Sequence, residues 1–346
     1  MAHTRSKNEG TARPRRKAWP QSIIQSNGRY TILRRASVNT DAQHPRPRDT
    51  PPQATARPKK RFGQHFLVSQ RVLSGILRLA EVSSEDRVVE IGAGTGALTA
   101  ALAGQAREVV ALEVDRDLIG ALQQRFASQP HVQIVHADAL RFDFAQIAPP
   151  FKVVANLPYG SATAILMRLL ERPSPMSLAV VMLQREVAAR LYATPGTKAY
   201  GSLTLMAQWY ATIDKGFNVP PAAFSPAPKV MSTVVKITPR PEPPVEVRDE
   251  PLLFRVIHGA FAQRRKILVN ALAAALSDQL TASLLARALT AAGVDPRRRG
   301  ETLTLTEFAR LTDGISAVMM AQSERPSPPS QGKSPMPPCS ELREQD

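Results

Sequence analysis

The segment Gly92-Ala-Gly-Thr-Gly96 lies between an apolar run and a stretch with helical periodicity. Glycine lets a backbone turn tightly and approach a ligand closely, so such a loop is typical of a cofactor site. Gly92, Gly94 and Ala97 also fit the Gly/Ala form of the dinucleotide fingerprint. Glu113 follows about 20 residues later, where a ribose-binding acid belongs. An NAD site and a plain structural turn therefore both remain open.

Four acidic residues stand at or just after the ends of the first three predicted strands: Glu90, Glu113, Asp115 and Asp138. In a parallel sheet these strand ends lie along one edge, where ligands bind. A dinucleotide brings a pyrophosphate, which favours a positive site, whereas S-adenosylmethionine carries a sulfonium cation and no phosphate. Several carboxylates in one crevice therefore favour S-adenosylmethionine over NAD.

Asn156-Leu-Pro-Tyr159 follows the apolar run 153–155, again at the end of a predicted strand. An exocyclic adenine amine is a poor nucleophile because its lone pair is delocalised into the ring. The Asn156 carboxamide oxygen and a backbone carbonyl of Leu157 or Pro158 can accept its N–H groups, which frees the lone pair to attack a methyl sulfonium. Tyr159 can stack on the base. Taken alone, the tetrapeptide favours a structural turn with Tyr159 in the core, but its position after the fourth strand of an apparent methyl-donor fold favours catalysis.

The elements that position these residues alternate in type. Strand-length apolar runs occupy 87–91, 108–114, 132–135, 152–155 and 178–183. Segments with helical periodicity follow three of them, at 97–105, 117–128 and 161–171. This alternation predicts an α/β fold with a Rossmann-like, doubly wound and mostly parallel sheet.

The proline cluster Arg240-Pro-Glu-Pro-Pro244 marks a change of pattern. Beyond it, the helical segments follow one another without strands, at 252–276, 282–292 and 306–311. We therefore predict a methyltransferase domain followed by a small C-terminal all-helical domain, with a disordered tail at either end. The predicted regions are a basic Pro/Arg-rich tail (1–57), the S-adenosylmethionine-binding domain (58–243), the helical domain (244–320) and a Pro/Ser-rich tail (321–346).

The charge of the chain restricts its partner. The 346 residues contain 45 Lys and Arg against 29 Asp and Glu, a formal net charge of +16. Residues 1–57 hold +9 of this and residues 321–346 hold −1, which leaves +8 on the rest. A basic surplus of this kind favours nucleic acid as the partner. The N-terminal tail stays open between an RNA-binding arm, a transit peptide and a plain extension.

Two kinds of site or segment are not expected. The single cysteine, Cys339, forms neither an intrachain disulfide nor a thiolate cluster, and no His-Glu-x-x-His occurs, so we expect no metal. No apolar run approaches the roughly 18 residues of a membrane span, so we expect no membrane contact.

Five ordered motifs carry a family resemblance: Lys60-Arg-Phe-Gly-Gln-His-Phe-Leu67, Glu90-Ile-Gly-Ala-Gly-Thr-Gly96, Asn156-Leu-Pro-Tyr159, Phe224-Ser-Pro-Ala-Pro-Lys-Val230 and Phe261-Ala-Gln-Arg-Arg-Lys266. Over about residues 58–315 the chain resembles the ribosomal RNA adenine dimethylases, most closely the bacterial small-subunit enzymes of the kasugamycin-resistance type. These enzymes use S-adenosylmethionine to dimethylate N6 of two adjacent adenosines in a hairpin near the 3′ end of small-subunit (16S) rRNA.

The resemblance implies a role for each matching residue. The implied cofactor-binding residues are Gln64, His65, Leu67, Gly92, Gly94, Glu113, Asp138, Ala139 and Asn156. Glu113 is expected on the ribose hydroxyls and Asp138 on the adenine amine. The implied catalytic residues are Asn156, Leu157, Pro158, Tyr159 and Phe224. Among these, Phe224 and Tyr159 are expected to sandwich the flipped adenine. The residues expected on RNA phosphates are Lys229, Arg264, Arg265 and Lys266.

The resemblance also implies a monomer that acts in the cytoplasm on the immature small (30S) ribosomal subunit. One departure is Gly160, where the family commonly has Asn, which loosens the turn after Tyr159. Two alternatives stay open: a large-subunit rRNA dimethylase of the macrolide-resistance type, and a mainly non-catalytic assembly factor. Leu157 and the run Gln263-Arg-Arg-Lys266 favour the small-subunit enzyme.

Overall fold

The computed structural model describes residues 23–26, 29–32, 64–170 and 176–323. The chain divides into two compact units, residues 1–244 and 245–346. Among the described residues, no helix is long and apolar enough to cross a membrane. Within the same ranges, no group of three or more His, Cys, Asp and Glu side chains is placed to hold a metal ion.

The first unit contains a seven-stranded sheet. Its strands are β4 (Arg87–Ile91), β5 (Glu108–Glu113), β6 (Val132–His136), β7 (Phe151–Asn156), β8 (Met176–Gln184), β9 (Ala211–Val219) and β11 (Ser232–Pro239). They lie in the order β6-β5-β4-β7-β8-β11-β9. The first five in this order are parallel to their neighbours, whereas β11 runs antiparallel to β8 and to β9. The prediction of a Rossmann-like, mostly parallel α/β sheet is confirmed.

Helices cover both faces of this sheet. They are α1 (Gln70–Ala80), α2 (Ala97–Ala103), α3 (Arg116–Arg125), α4 (Ala162–Leu170), α5 (Arg185–Leu191) and α6 (Ser202–Tyr210). Val88 of β4 belongs to one apolar cluster with Leu73 of α1, and the next residue, Val89, to another with Leu166 of α4. Successive side chains of a strand point to opposite faces, so a strand that is apolar on both faces requires helices on both sides.

Two strands of the sheet, β9 and β11, were not predicted from the sequence. β9 is at the sheet edge and carries Asp214, Lys215 and Asn218, which interrupt its apolar alternation. β11 lies between β8 and β9 and extends the sheet beyond the five parallel strands. A separate two-stranded sheet pairs β3 (Phe66–Leu67) with β10 (Phe224–Ser225), which brings the segment before α1 close to the segment before β11.

The second unit contains four helices in its described part: α7 (Glu250–Ala262), α8 (Leu268–Ala275), α9 (Ala282–Ala291) and α10 (Leu305–Ser323). The prediction of one helix over 252–276 was wrong, because the chain turns between α7 and α8. Near the start of α8 the N–H of Leu268 donates to the carbonyl of Arg298 at 2.7 Å, and that of Val269 to Pro296 at 3.4 Å. These tertiary hydrogen bonds satisfy N–H groups that a continuous helix would use internally.

The N-terminal segment differs from the prediction of a wholly disordered tail at one place. β1 (Ile23–Ser26) and β2 (Arg29–Ile32) pair antiparallel, with Ser26 opposite Arg29. The two residues between them in the sequence are Asn27 and Gly28, the strongest short hairpin signal between β-branched runs. The other residues of the predicted tails, 1–57 and 321–346, lie outside the described part apart from the end of α10.

Candidate active site

A cavity of about 510 Å³ lies at the carboxyl ends of β4, β5 and β7. Its walls come from residues within four segments, 64–67, 90–98, 113–114 and 156–161. These segments are far apart in the sequence and meet because the ends of neighbouring parallel strands share one edge of the sheet. None of the described residues that line the cavity is Lys or Arg. Within its described wall, the cavity therefore offers no side-chain cation to a pyrophosphate, which argues against the NAD alternative.

The glycine loop packs too closely for side chains at two of its positions. Gly94 and Gly96 have φ of 57° and 81°, in the left-handed region that favours glycine. A Cβ on Gly94 would lie 3.0 Å from the ring of Phe66, and a Cβ on Gly96 would lie 2.9 Å from Leu122. The main chain of this loop consequently lines the cavity directly.

Two buried carboxylates stand beside this loop. Glu113 accepts the N–H of Gly94 through Oε2 and that of Asp115 through Oε1, both at 2.8 Å. Glu90 is 1% exposed and accepts the hydroxyl of Thr99 at 2.6 Å. Burial, and to a smaller extent the charge of Glu113, raises the pKa of Glu90 to about 8. No described residue of the cavity wall supplies a cation to these two carboxyl groups, so the site fits a positively charged ligand, whose charge would favour the ionised form of Glu90.

The other two predicted acids do not line the cavity. Asp115 is buried and caps α3 by accepting the N–H of Asp117, and it also accepts the side-chain amide of Gln64 at 3.0 Å. Asp138 and Ala139 follow β6, and Asp138 accepts the N–H of Leu140 at 2.9 Å. The structure thus brings Gln64, but neither Asp138 nor Ala139, to the cavity wall.

Asn156 ends β7 and presents an acceptor to the cavity. Its Nδ2 donates to the backbone carbonyl of His65 at 3.1 Å. A carbonyl only accepts hydrogen bonds, so this contact fixes which end of the carboxamide faces the cavity. Oδ1 has no hydrogen-bond partner among the described residues. The arrangement provides a fixed, unused acceptor of the kind that an incoming amine needs.

The rest of the tetrapeptide forms a short loop beside it. The N–H of Leu157 donates to Met182 on β8 at 3.2 Å, and the carbonyl of Pro158 accepts the N–H of Ser161 at 3.1 Å. Tyr159 is half-buried, and its hydroxyl lies 2.7 Å from Oγ of Ser232. The loop therefore places one aromatic ring and one fixed amide in the same wall.

Phe224 and Lys229 are absent from the described cavity wall. Phe224 pairs with Leu67 across β10 and β3, and it is 4% exposed within an apolar cluster that includes Ala223. Lys229 is exposed. The structure brings His65, Leu67, the glycine loop, Glu113 and the tetrapeptide together in the cavity wall, whereas Phe224 is buried in the apolar cluster.

The predicted basic triplet lies in the second unit, in the turn that follows α7. The prediction of a helix through Arg264, Arg265 and Lys266 was wrong, since α7 ends at Ala262. Arg264 forms an ion pair with Glu301 at 3.1 Å. The hydrogen bonds at the start of α8 hold a second basic run, Arg297-Arg-Arg299, beside this turn.

We call these six residues, 264–266 and 297–299, the basic turns. Arg298 donates to Glu307 on α10, and Arg297 lies 3.9 Å from Asp295. Arg265, Lys266 and Arg299 form no ion pair with a described residue. Residues 297–299 were not predicted as RNA-binding, although three consecutive arginines are a visible signal in the sequence.

Comparison with known proteins identifies the family. A model of the ribosomal RNA adenine dimethylase family matches residues 55–311. The chain belongs to the ribosomal RNA adenine dimethylase family. Ribosomal RNA small subunit methyltransferase A of Alkaliphilus metalliredigens is 43% identical over 264 residues, covering 75% of this chain and 92% of the relative. The enzyme of the same name from Geobacillus thermodenitrificans is 45% identical over 265 residues, covering 74% and 90%.

Solved structures agree with this dimethylase fold. A dimethyladenosine transferase from Plasmodium falciparum superposes with a TM-score of 0.65 at 24% identity, covering 73% of this chain and 98% of its own. The 23S rRNA methyltransferase ErmE superposes with a TM-score of 0.55 at 27% identity, covering 72% and 99%.

Some residues of the cavity wall were not predicted from the sequence. Val114 and Ser161 lie outside the quoted motifs, and Phe66 lies inside the first motif but was not assigned to the site. Thr99 and Ser232 matter only through the hydrogen bonds that they make to Glu90 and Tyr159. Such partners are recognised only from the fold, because Thr99 and Glu90 lie on different elements and Ser232 is 73 residues from Tyr159 in the sequence.

Proposed function

We propose that this dimethylase transfers methyl groups from S-adenosylmethionine to N6 of two adjacent adenosines in a hairpin near the 3′ end of small-subunit rRNA. One observation carries the proposal: the unused Oδ1 of Asn156 stands in the wall of a cavity that holds two buried carboxylates and no described Lys or Arg. A cationic methyl donor and a neutral amine acceptor fit these two features together.

The residues of the cavity fit the proposed cofactor. S-adenosylmethionine supplies a methyl group bound to a positively charged sulfur. Glu113 offers carboxylate oxygens for ribose hydroxyls, and the backbone of Gly92 and Gly94 permits close approach. Gln64, His65 and Leu67 complete the wall on the N-terminal side. We retain Asp138 and Ala139 as proposed contacts of the adenine, at the end of the strand next to β5.

Asn156 and its loop act on the target amine. Oδ1 of Asn156 and the carbonyl of Leu157 accept the two N–H groups, so the nitrogen pyramidalises and its lone pair is directed at the methyl group. The methylated ammonium is acidic and loses its proton readily, so no strong base is needed. Pro158 stiffens the loop, and Tyr159 stacks on the base. Phe224 remains the proposed second ring, and because its side chain is 4% exposed, its contact with the base requires the side chain to become more exposed.

The RNA partner is proposed from the charge of the exposed residues. Lys229 in the first unit and the basic turns in the second offer cations to phosphates, which position an RNA without reading its sequence. We propose the immature small subunit as the substrate, with the enzyme acting as a monomer in the cytoplasm. The relatives named for the small subunit are 43–45% identical, whereas the 23S rRNA enzyme is 27% identical, which supports the small subunit over the large.

The test is methyl transfer to ribosomal subunits with purified protein. Small subunits from a strain that lacks this modification are incubated with isotopically labelled S-adenosylmethionine, and their rRNA is digested and analysed by mass spectrometry. We expect labelled N6,N6-dimethyladenosine in small-subunit rRNA, with primer-extension stops at two adjacent positions. Large subunits treated in the same way are the control. Labelling of the large subunit alone would overturn the proposal in favour of the macrolide-resistance type of activity.

A further inference from the structure

The ring of Tyr159 is held at its tip by one hydrogen bond. Its hydroxyl lies 2.7 Å from Oγ of Ser232, while the ring is half-buried in the cavity wall. The next residue adds no side-chain anchor, because Gly160 is exposed and a Cβ there would have nothing within 4 Å. The orientation of the ring therefore depends on contacts outside its own loop.

Ser232 is a fixed partner for this contact. It is the first residue of β11 and is fully buried. It pairs with Gln184 of β8 on one side and with Val219 of β9 on the other. A residue with strand partners on both sides has little backbone freedom. The sheet, rather than the loop, consequently determines where this hydroxyl stands.

A second contact confines the same ring from the side. The imidazole of His65 lies 5.5 Å from the ring of Tyr159, centroid to centroid, with 32° between the planes. Nδ1 of His65 donates to the carbonyl of Pro226 at 2.8 Å, which holds the imidazole in turn. Burial raises the pKa of Tyr159, so its phenol stays neutral at physiological pH. With one side covered and the tip bonded, a single orientation is selected.

We propose that Ser232 is a positioning residue for methyl transfer, whose hydroxyl holds Tyr159 in the orientation that stacks on the target adenine. This inference rests on the proposed function, because it takes Tyr159 as the ring that contacts the base. Stacking requires the two planes to lie roughly parallel, and a ring free to rotate about its Cα–Cβ bond presents that face only part of the time. Removing the hydroxyl should therefore lower kcat about tenfold, the size expected for one hydrogen bond.

The position of the ring can be measured without substrate. The full chain labelled with 3-fluorotyrosine contains five fluorinated rings, and the Tyr159 resonance is the one absent from Tyr159→Phe. We expect Ser232→Ala to shift and narrow this ¹⁹F resonance as the ring gains motion. Thr233→Val is the matched control, because Thr233 is the next buried residue of β11 and its hydroxyl donates to Asn218 at 3.0 Å. An unchanged Tyr159 resonance in Ser232→Ala would overturn the inference.

Kinetics on undermethylated small subunits give the second readout. Ser232→Ala and Tyr159→Phe remove the same hydrogen bond from its two ends, so each should lower kcat about tenfold with little change in KM. The double variant should be no worse than either single variant. Additive losses would mean that Ser232 and Tyr159 act independently, and an equal loss in Thr233→Val would mean that Ser232 acts on stability alone, and either result would overturn the inference.

Two outcomes separate this inference from the proposed function. A wild-type protein that transfers no methyl group would defeat the proposed function and the role of Ser232 together. An active wild type with an equally active Ser232→Ala would defeat this inference alone. If Ser232→Ala does not fold, Tyr159→Phe breaks the bond from the half-buried end and keeps the kinetic test available.

Discussion

Glu90 in the first unit and Glu307 in the second lie in opposite electrostatic surroundings. Glu90 is 1% exposed in a cavity with no described Lys or Arg in its wall, and burial raises its pKa to about 8. Glu307 accepts hydrogen bonds from Arg298 and Thr304, which lower its pKa to about 2. The same side chain is thus disfavoured as an anion in one region and strongly favoured in the other.

The difference indicates what each region lacks. In the cavity, no described residue of the wall supplies a positive charge to the buried carboxyl groups of Glu90 and Glu113. In the basic turns, Arg265, Lys266 and Arg299 form no ion pair with a described acid, so their positive charges can bind an anionic ligand. The cavity is therefore complementary to a cationic methyl donor and the basic turns to phosphates. If this assignment is right, substitutions in one region should spare the ligand of the other.

Asn156→Ala should have the largest effect. Loss of the carboxamide removes the acceptor for the target amine, so we expect methyl transfer to fall about 10²- to 10³-fold, as when a key polar group at a reaction centre is removed. The measurement is single-turnover transfer of labelled methyl groups to undermethylated small subunits. Binding to those subunits, followed by sedimentation, should be unchanged because the basic turns are intact.

The control for this substitution is Asn218→Ala, which removes an amide of the same unit that hydrogen-bonds to Thr233. It should cost stability and little activity. Unchanged methyl transfer by Asn156→Ala would contradict the mechanism. Full restoration of subunit maturation by the inactive variant would instead favour the assembly-factor alternative as the main function.

The second prediction reverses the charge of the basic turns. Arg265→Glu combined with Arg299→Glu should weaken binding to small-subunit rRNA roughly 100-fold at low salt, because each lost phosphate contact costs about tenfold. The slope of log affinity against log salt should become about 2 shallower. Binding of S-adenosylmethionine, measured by calorimetry, should not change.

Arg287→Glu is the matched control for this pair, since Arg287 is an exposed arginine on α9 outside the basic turns. It alters the net charge by the same amount per substitution. An equal loss of RNA affinity in Arg287→Glu would mean that overall charge, rather than this surface, attracts the RNA.

Fold and site were predictable to different degrees. The five parallel strands were predicted to within one or two residues at most ends, because buried parallel strands are short apolar runs between polar residues. β9 was missed because an edge strand with Asp214 and Lys215 lacks that signal. The break between α7 and α8 was missed because it depends on hydrogen bonds from Leu268 and Val269 to a loop distant in sequence.

The residues of the site were likewise predictable to different degrees. The glycine loop, Glu113 and Asn156 were predictable because they stand at strand ends, where the topology brings them together. The burial of Phe224 was not, because it results from the pairing of β10 with β3, two strands of two residues each. A strand that short has no periodicity to detect.

Glu90→Gln tests whether the buried carboxyl group of the cavity is destabilised as an anion. Glutamine keeps an acceptor for Thr99 but carries no charge. Without cofactor, the free energy of unfolding of the wild type should fall as pH rises from about 4.5 to about 8, because the unfolded chain releases the Glu90 proton before the folded chain does. The variant should lack this decline and be more stable by roughly 5 kcal/mol at pH 8.5, because each step of one in pKa between about 4.5 and about 8 is worth about 1.4 kcal/mol. Urea denaturation at several pH values measures this.

In wild type and Glu90→Gln, affinity for the cofactor should depend on pH in the opposite direction to the stability of the free protein. A carboxylate that becomes charged as the cation binds should make the affinity of the wild type for S-adenosylmethionine increase between pH 6 and 8.5, whereas Glu90→Gln should bind more weakly and without this dependence. Glu85→Gln, at an exposed acid just before β4, is the control. A pH-independent wild type would remove Glu90 from the cation site.

Glu307→Gln should have the smallest effect and the opposite pH dependence. Glu307 accepts from Arg298, and it forms a reciprocal capping box with Thr304 at the start of α10. We expect the variant to lose about 1 kcal/mol of stability at pH 7. Because the pKa is lowered to about 2, the wild type loses this contribution as pH falls from about 4.5 through about 2, so the two proteins should converge there.

Glu301→Gln, which breaks the more exposed pair with Arg264, should cost less at every pH. Stability curves that diverge toward low pH would mean that the Arg298–Glu307 contact does not stabilise the second unit.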